Sequence, residues 1–103
     1  MKKINKIIEI YSDEKLKEMA VEHKELWLRA KIVMQFIVLR EKLGYSQEQI
    51  ANKMGVKRQQ ITRFENMNNS PTIFFLVKYA NALEKDLDVI LEGAEIKEII
   101  YER

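Results

Sequence analysis

A chain of 103 residues, 47% hydrophobic and 33% charged, can build one domain with a core and is too mixed to be a low-complexity or disordered polymer. It contains no cysteine, which excludes disulfides and thiolate chemistry, and no apolar run approaches the roughly 20 residues of a membrane-spanning helix. The net charge of +2 is unevenly spread: residues 29–91 carry ten Lys/Arg against six Asp/Glu, residues 1–28 balance at six each, and residues 92–103 carry two against four. The basic surplus therefore sits in the middle of the chain, where an anionic partner would use it.

The first eleven residues, MKKINKIIEIY, are β-branched and weakly periodic, compatible with a short strand or an ordered arm. Their lysines look like the start of a secretion signal, but Glu9 and Asp13 interrupt the apolar stretch too early, so a soluble, cytoplasmic protein is expected. Ser12 can cap a helix that carries Leu16, Met19 and Ala20, with a break expected near Glu22 to Lys24. A longer helix then runs to Leu43, with Leu28, Ile32, Phe36 and Leu39 on one stripe, and Gly44 stops it.

Helices are predicted next at about 47–54 and 58–66. The loop NMNNSP, closed by the only proline, Pro71, leads to a helix capped by Thr72 with Ile73, Leu76, Val77, Ala80 and Leu83 at helical spacing. The segment DLDVILE alternates polar and apolar residues, which predicts a short strand over 86–91. After Gly93, EIKEIIYER fits a second strand or a terminal helix.

The most informative stretch is SQEQIANKMGVKRQQITRFE, Ser46 to Glu65. Ile50, Ala51, Met54, Val56, Ile61 and Phe64 have the spacing that two crossed helices bury, and Ala51 is small where the axes approach. Ser46 with Gln49 forms a capping box, and Gly55 supplies the left-handed residue of the turn. This is a helix-turn-helix pattern. The residues left outward on its second helix (Lys57, Arg58, Gln59, Gln60, Thr62 and Arg63) include no acid, which suits contact with nucleic acid.

The stretch LREKLGYSQEQIANKMGVKRQQITRFEN, continued by SPTIFFLVKYANALEKDLDVIL, resembles the Cro/repressor-type, or XRE-like, helix-turn-helix family over about residues 36–91. With EHKELWLRAKIVMQFIVLRE upstream and LDVIL downstream, the chain is most similar to HigA-type antitoxins of type II toxin–antitoxin pairs. The resemblance implies a mainly α fold: a five-helix, lambda-repressor-like DNA-binding domain with a helical N-terminal extension and a short C-terminal β-strand. The implied organisation is an arm and helix over 1–30 as the candidate toxin contact, a DNA-binding domain over 31–91 with its motif at 46–65, and a tail over 92–103.

The family also implies roles for individual residues. Gln47 is expected to bind a phosphate and to brace a base-reading residue. Arg58, Gln59, Gln60, Thr62 and Arg63 form the recognition helix's reading face, because Arg matches guanine and Gln adenine in donor and acceptor spacing. Lys57 and the loop residue Asn68 complete the candidate DNA contacts. Arg40 and Glu65 match a structural salt bridge. Three positions depart from the family: Lys57 replaces a Ser or Thr cap, Met67 stands where glycine is usual, and Tyr45 replaces a leucine.

The implied partners are double-stranded DNA, read as a palindromic operator through the major groove, a second copy in a homodimer, and a RelE/HigB-like mRNA-cleaving toxin. The strand at 86–91 is the expected dimer contact, through its exposed edge. Trp27 is either a packing residue or a partner contact, and the apolar tail (Ile96, Ile99, Ile100, Tyr101) packs either on its own domain or on another chain. His23, the only histidine, reads as a solvated helix residue, so no metal site is expected. No nucleophile–base set, cofactor loop or paired carboxylate points to an enzyme. Two other roles fit the same residues: a free-standing phage or bacterial repressor without a toxin, and an interaction scaffold that does not bind DNA.

Overall fold

The structure, a computed structural model, describes residues 17–92. Five helices follow in order: α1 (Val21–Lys42), α2 (Gln47–Met54), α3 (Arg58–Glu65), α4 (Ile73–Ala82) and α5 (Leu87–Glu92). The mainly helical architecture expected from the sequence is what is observed, and among the described residues there is no strand. The expected strand at 86–91 is therefore corrected to helix α5. The segment DLDVILE satisfies a three-residue spacing as well as an alternating one. Leu87 is partly buried against the core and Ile90 is buried, one turn apart on the same helical face, while Ile90 N–H closes the first turn onto the Asp86 carbonyl at 3.1 Å. Pairing of copies through a strand edge at 86–91 falls with that strand.

Helix α1 starts earlier than its sequence suggests. The chain breaks at Ala20, whose backbone is extended and whose carbonyl accepts the His23 and Lys24 N–H groups, each at 3.0 Å. No break follows at Glu22 to Lys24, since Glu22 in the first turn is favourable to the helix dipole there. From Val33 to Leu39 every α1 residue is buried. Leu28, assigned to the buried stripe, is instead 49% exposed. The face of α1 turned to the body at that level is the one carrying Glu25 and Arg29, and Leu28 points away from it.

The core gathers Val33, Phe36 and Leu39 of α1, Ile50, Ala51 and Met54 of α2, Ile61 and Phe64 of α3, Leu76, Tyr79 and Ala80 of α4, and Ile90 of α5. Its centre is aromatic. Phe36 meets Phe64 edge-on with centroids 5.6 Å apart, and Tyr79 at 4.7 Å. These contacts turn α4 relative to its predicted face. Leu76, Tyr79, Ala80 and Leu83 are buried, whereas Ile73 and Val77, expected inside, are 74% and 47% exposed. Burying the larger Tyr79 ring removes more apolar area from water than burying Val77 would.

Four helices end in the same way. At the ends of α1, α2, α3 and α4, the left-handed residue is Gly44 (φ +81°), Gly55 (φ +69°), Met67 (φ +60°) and Glu84 (φ +60°). In each, the next residue's N–H returns to a carbonyl five positions back: Tyr45 to Arg40, Val56 to Ala51, Asn68 to Arg63 and Lys85 to Ala80, all at 3.0 Å. This is the Schellman stop. Two of the four are made without glycine, and the Met67 loop thus keeps the backbone that the family's usual glycine would give.

Candidate nucleic-acid interface

Helix α2 is delimited by its own residues. Ser46 Oγ accepts the Gln49 N–H at 3.1 Å, and Gln49 Oε1 accepts the Ser46 N–H at 2.8 Å, so both halves of the capping box form. Helix α3 has only half a box. Lys57 offers no side-chain acceptor, and Gln60 Oε1 accepts the Lys57 N–H at a longer 3.3 Å. Gln60 is thereby turned back onto its own helix start, although it is exposed.

What holds α3 instead is a buried polar cluster at its far end. Glu65 is the last residue of α3 and is 8% exposed. Its carboxylate accepts from Arg40 Nε at 2.8 Å and Nη2 at 2.7 Å, from the Tyr79 hydroxyl at 2.8 Å and from Gln47 Nε2 at 3.1 Å. Arg40 Nη1 also donates to the Tyr45 carbonyl at 2.8 Å, so one guanidinium joins the end of α3 to the start of α2. The hydrogen bonds it donates to Glu65 strengthen the Arg40 guanidinium's hold on its proton despite burial. Burial, and then the Glu65 charge, pushes the Tyr79 phenol well above its ordinary range.

The cluster reaches the surface through Gln47. Its Nε2 faces Glu65 and its Oε1 accepts the Thr62 hydroxyl at 3.0 Å. Gln47 retains one further N–H, and it lines a shallow depression with Arg58, Gln59, Thr62 and Arg63. A second depression, lined by Gly55, Val56, Lys57, Gln59, Gln60 and Arg63, adjoins it across the shared residues Gln59 and Arg63. Lys57, Arg58, Gln59, Gln60 and Arg63 are all exposed, and Thr62 is partly so. Asn68 is also exposed, on the loop beyond α3, and lines neither depression. The result is one surface of cations, amides and a hydroxyl on a helix whose inner side is locked.

Other expected residues fall elsewhere. Trp27 is partly buried on α1 with the Lys31 ammonium 5.6 Å from its ring centroid, and its indole N–H has no hydrogen-bond partner among the described residues. His23 is exposed, and the described residues contain no group of three acidic, histidine or cysteine side chains able to hold a metal. The Tyr45 ring takes over the leucine's apolar cover and adds a cation contact, with Lys53 Nζ 4.5 Å from its centroid. The expectations for 1–16 and 93–103 lie outside the described residues.

Two features were not anticipated. Tyr79 joins the cluster, and the only signal for it was a polar-tipped ring where α4's buried stripe would take an aliphatic side chain. The second is a clamp between α1 and the loop after α3. Arg29 Nη1 donates to the Met67 carbonyl at 3.1 Å, and the Ser70 hydroxyl donates to Glu25 at 2.8 Å. Glu25 and Arg29 themselves pair one turn apart, and Arg29's hydrogen bond holds the Glu25 carboxyl below its ordinary value. This clamp tethers the unusual left-handed Met67.

Comparison with known proteins gives this geometry relatives. The helix-turn-helix family matches residues 38–90. "Antitoxin HigA1" of Mycobacterium tuberculosis, in two strains, is 32% identical over 69 residues, covering 67% of this chain and 46% of the relative. An uncharacterised HTH-type transcriptional regulator of Haemophilus influenzae is 29% identical over 82 residues, covering 80% of this chain and 76% of that protein. The match thus spans about half the length of the mycobacterial antitoxins. No solved structure matches the chain.

Proposed function

This chain belongs to the helix-turn-helix family, and on that premise we propose that it is a sequence-specific DNA-binding transcriptional regulator that serves as an antitoxin. The observation that carries the DNA reading is the outer face of α3. Lys57, Arg58, Gln59 and Arg63 are exposed side by side with no acidic side chain among them, on a helix whose opposite side is fixed by the Glu65 cluster. Such a face enters the major groove, where Arg and Gln read base edges and Lys57 meets a phosphate. The role is binding, not catalysis, and it is exercised where the DNA is, in the cytoplasm. No described helix is long and apolar enough to cross a membrane.

Two copies would occupy a palindromic operator with half-sites about 34 Å apart, so a homodimer repressing its own operon is the working form. The likeness to proteins named antitoxin HigA1 supports a toxin partner, of the RelE/HigB ribonuclease type. The first half of α1 is the surface for it. Val21, Leu26 and Leu28 are 75%, 44% and 49% exposed there, beyond the part of α1 that the domain buries. The Haemophilus relative, covered over more of its length, is named only as a transcriptional regulator, which leaves a second reading, a free-standing regulator.

Selection of duplexes from a random library by the full chain tests the DNA reading. One palindromic site is expected, with Arg58→Ala and Arg63→Ala each weakening it by about 1–3 kcal/mol. Indifference of both variants would leave the scaffold role. Co-expression with neighbouring genes tests the antitoxin reading: a stoichiometric small ribonuclease supports it, and recovery of the chain alone returns the free-standing regulator.

A further inference from the structure

The hydrogen bonds behind α3 have a direction, and it determines what one residue of the reading face can offer. Glu65 is the sink. Two Arg40 nitrogens, the Tyr79 hydroxyl and Gln47 Nε2 all aim at its carboxylate. A carboxylate so surrounded only accepts, so Gln47 must turn its NH2 end toward it. The reverse orientation would set the Gln47 carbonyl oxygen against a carboxylate oxygen at 3.1 Å. With Nε2 committed, Oε1 is the end that meets the Thr62 oxygen at 3.0 Å, and an amide oxygen cannot donate. The Thr62 hydroxyl therefore donates inward.

A hydroxyl has one proton and two lone pairs. Thr62 thus arrives at the depression it shares with Arg58, Gln59 and Arg63 with its proton spent and its lone pairs available. Donation along a chain that ends on a carboxylate polarises the oxygen further and makes it a better acceptor. We propose that Thr62 is a specificity-determining residue of acceptor-only character, which selects a base presenting an exocyclic amino group in the major groove (cytosine N4 or adenine N6) and rejects guanine at that position. Guanine shows only acceptors there, at N7 and O6, which would face the Thr62 lone pairs. Arg40, Tyr79 and Glu65 are positioning residues that set this polarity through Gln47. The neighbouring Arg58 and Arg63 can only donate, so Thr62 adds the opposite sign of readout to the same face.

The inference rests on the DNA reading above, and its test separates the two. The full chain and its Thr62→Val variant, which keeps the shape and removes the hydroxyl, are compared on the selected duplex, with base analogues placed at one pair after another. Removing one exocyclic amino group should weaken wild-type binding about tenfold and leave Thr62→Val unaffected, while 7-deaza purines that lack N7 should not distinguish the two proteins. The proposal is overturned if no amino deletion distinguishes them, or if the loss of an N7 acceptor does. A second measurement needs neither variant nor DNA. In the free chain, the Thr62 hydroxyl proton should be visible by NMR, slow to exchange and rotated toward Gln47; a freely rotating, fast-exchanging hydroxyl overturns the polarity. If the wild-type chain selects no sequence while that proton is held, it is the DNA reading that fails, and the base preference goes with it.

Discussion

Helices α2 and α3 have the same length, eight residues each, and pack against one another, yet they are specified in opposite ways. Helix α2 carries its own start and stop: a complete Ser46–Gln49 box, and Gly55 in the left-handed position. Helix α3 is preceded by Lys57 with half a box and followed by a stop at Met67, which has a Cβ where glycine would be easiest. The difference follows from what each helix faces. A Ser or Thr at position 57 would cap α3 better, but a lysine there adds a cation to the exposed outer face of α3. Local encoding is weaker on the helix whose outer face we propose for DNA contact, and tertiary contacts stand in for it: the Arg40–Glu65–Tyr79 cluster at its C-terminal end and the Arg29 clamp on Met67.

If that contrast holds, the far end of α3 is where stability is most concentrated. Glu65→Ala leaves the buried Arg40 guanidinium and the Tyr79 hydroxyl without their acceptor, and should cost about 3–5 kcal/mol in denaturant unfolding. A loss below that of an ordinary helix cap would mean that α3 holds itself.

The same cluster gives an alkaline signature. The Tyr79 phenol is raised in the folded chain, whereas the unfolded tyrosine ionises near 10.0. Above that pH the unfolded state has released a proton that the folded state keeps, so folding stability falls as pH rises. The fall contributed by this group is about 1.4 kcal/mol per pH unit, and it should be absent from Tyr79→Phe when the two proteins' unfolding free energies are compared between pH 9 and 11. Parallel curves would remove Tyr79 from the cluster.

Smaller effects separate the two helices' ends. A Cβ at Gly55 would meet nothing within 4 Å, so Gly55→Ala costs only the strained backbone, about 1 kcal/mol, read as a lower thermal midpoint. Lys57→Ser should raise stability by somewhat less, about 0.5–1 kcal/mol, while reducing the salt dependence of DNA binding by about one phosphate contact. A Lys57→Ser variant that gains no stability would show that α3 has no use for a local cap.

How far the site was legible follows the same division. Ser46, Gln49 and Gly55 act on neighbours within five residues, so their roles could be read from spacing. The outward position of Arg58, Gln59 and Arg63 follows from helical geometry once Ile61 and Phe64 are buried. The strand expected at 86–91 failed because six residues with Leu87, Val89 and Leu91 alternating also place Leu87 and Ile90 on one helical face. Only the surface they pack on decides between these arrangements. Ile73 and Val77 were expected inside for a related reason: α4 has two apolar stripes, and Tyr79 settles which one turns inward by joining Phe36, Phe64 and Glu65.

By itself, the sequence determined the elements whose signals are local: the helix-turn-helix and its caps, the glycine stops, and a basic middle with an acid-free outer face on α3. The tertiary structure decided what depends on partners distant in the chain. Glu65 stands 25 residues from Arg40, 18 from Gln47 and 14 from Tyr79, and the direction of the hydrogen bonds that runs from Thr62 to Glu65 exists only when all of them meet. Periodicity and capping report which face of a helix is inward. They do not report the direction in which a proton points, because that is set by the acceptor at the far end of the chain of hydrogen bonds, and here the acceptor is a carboxylate buried between three helices.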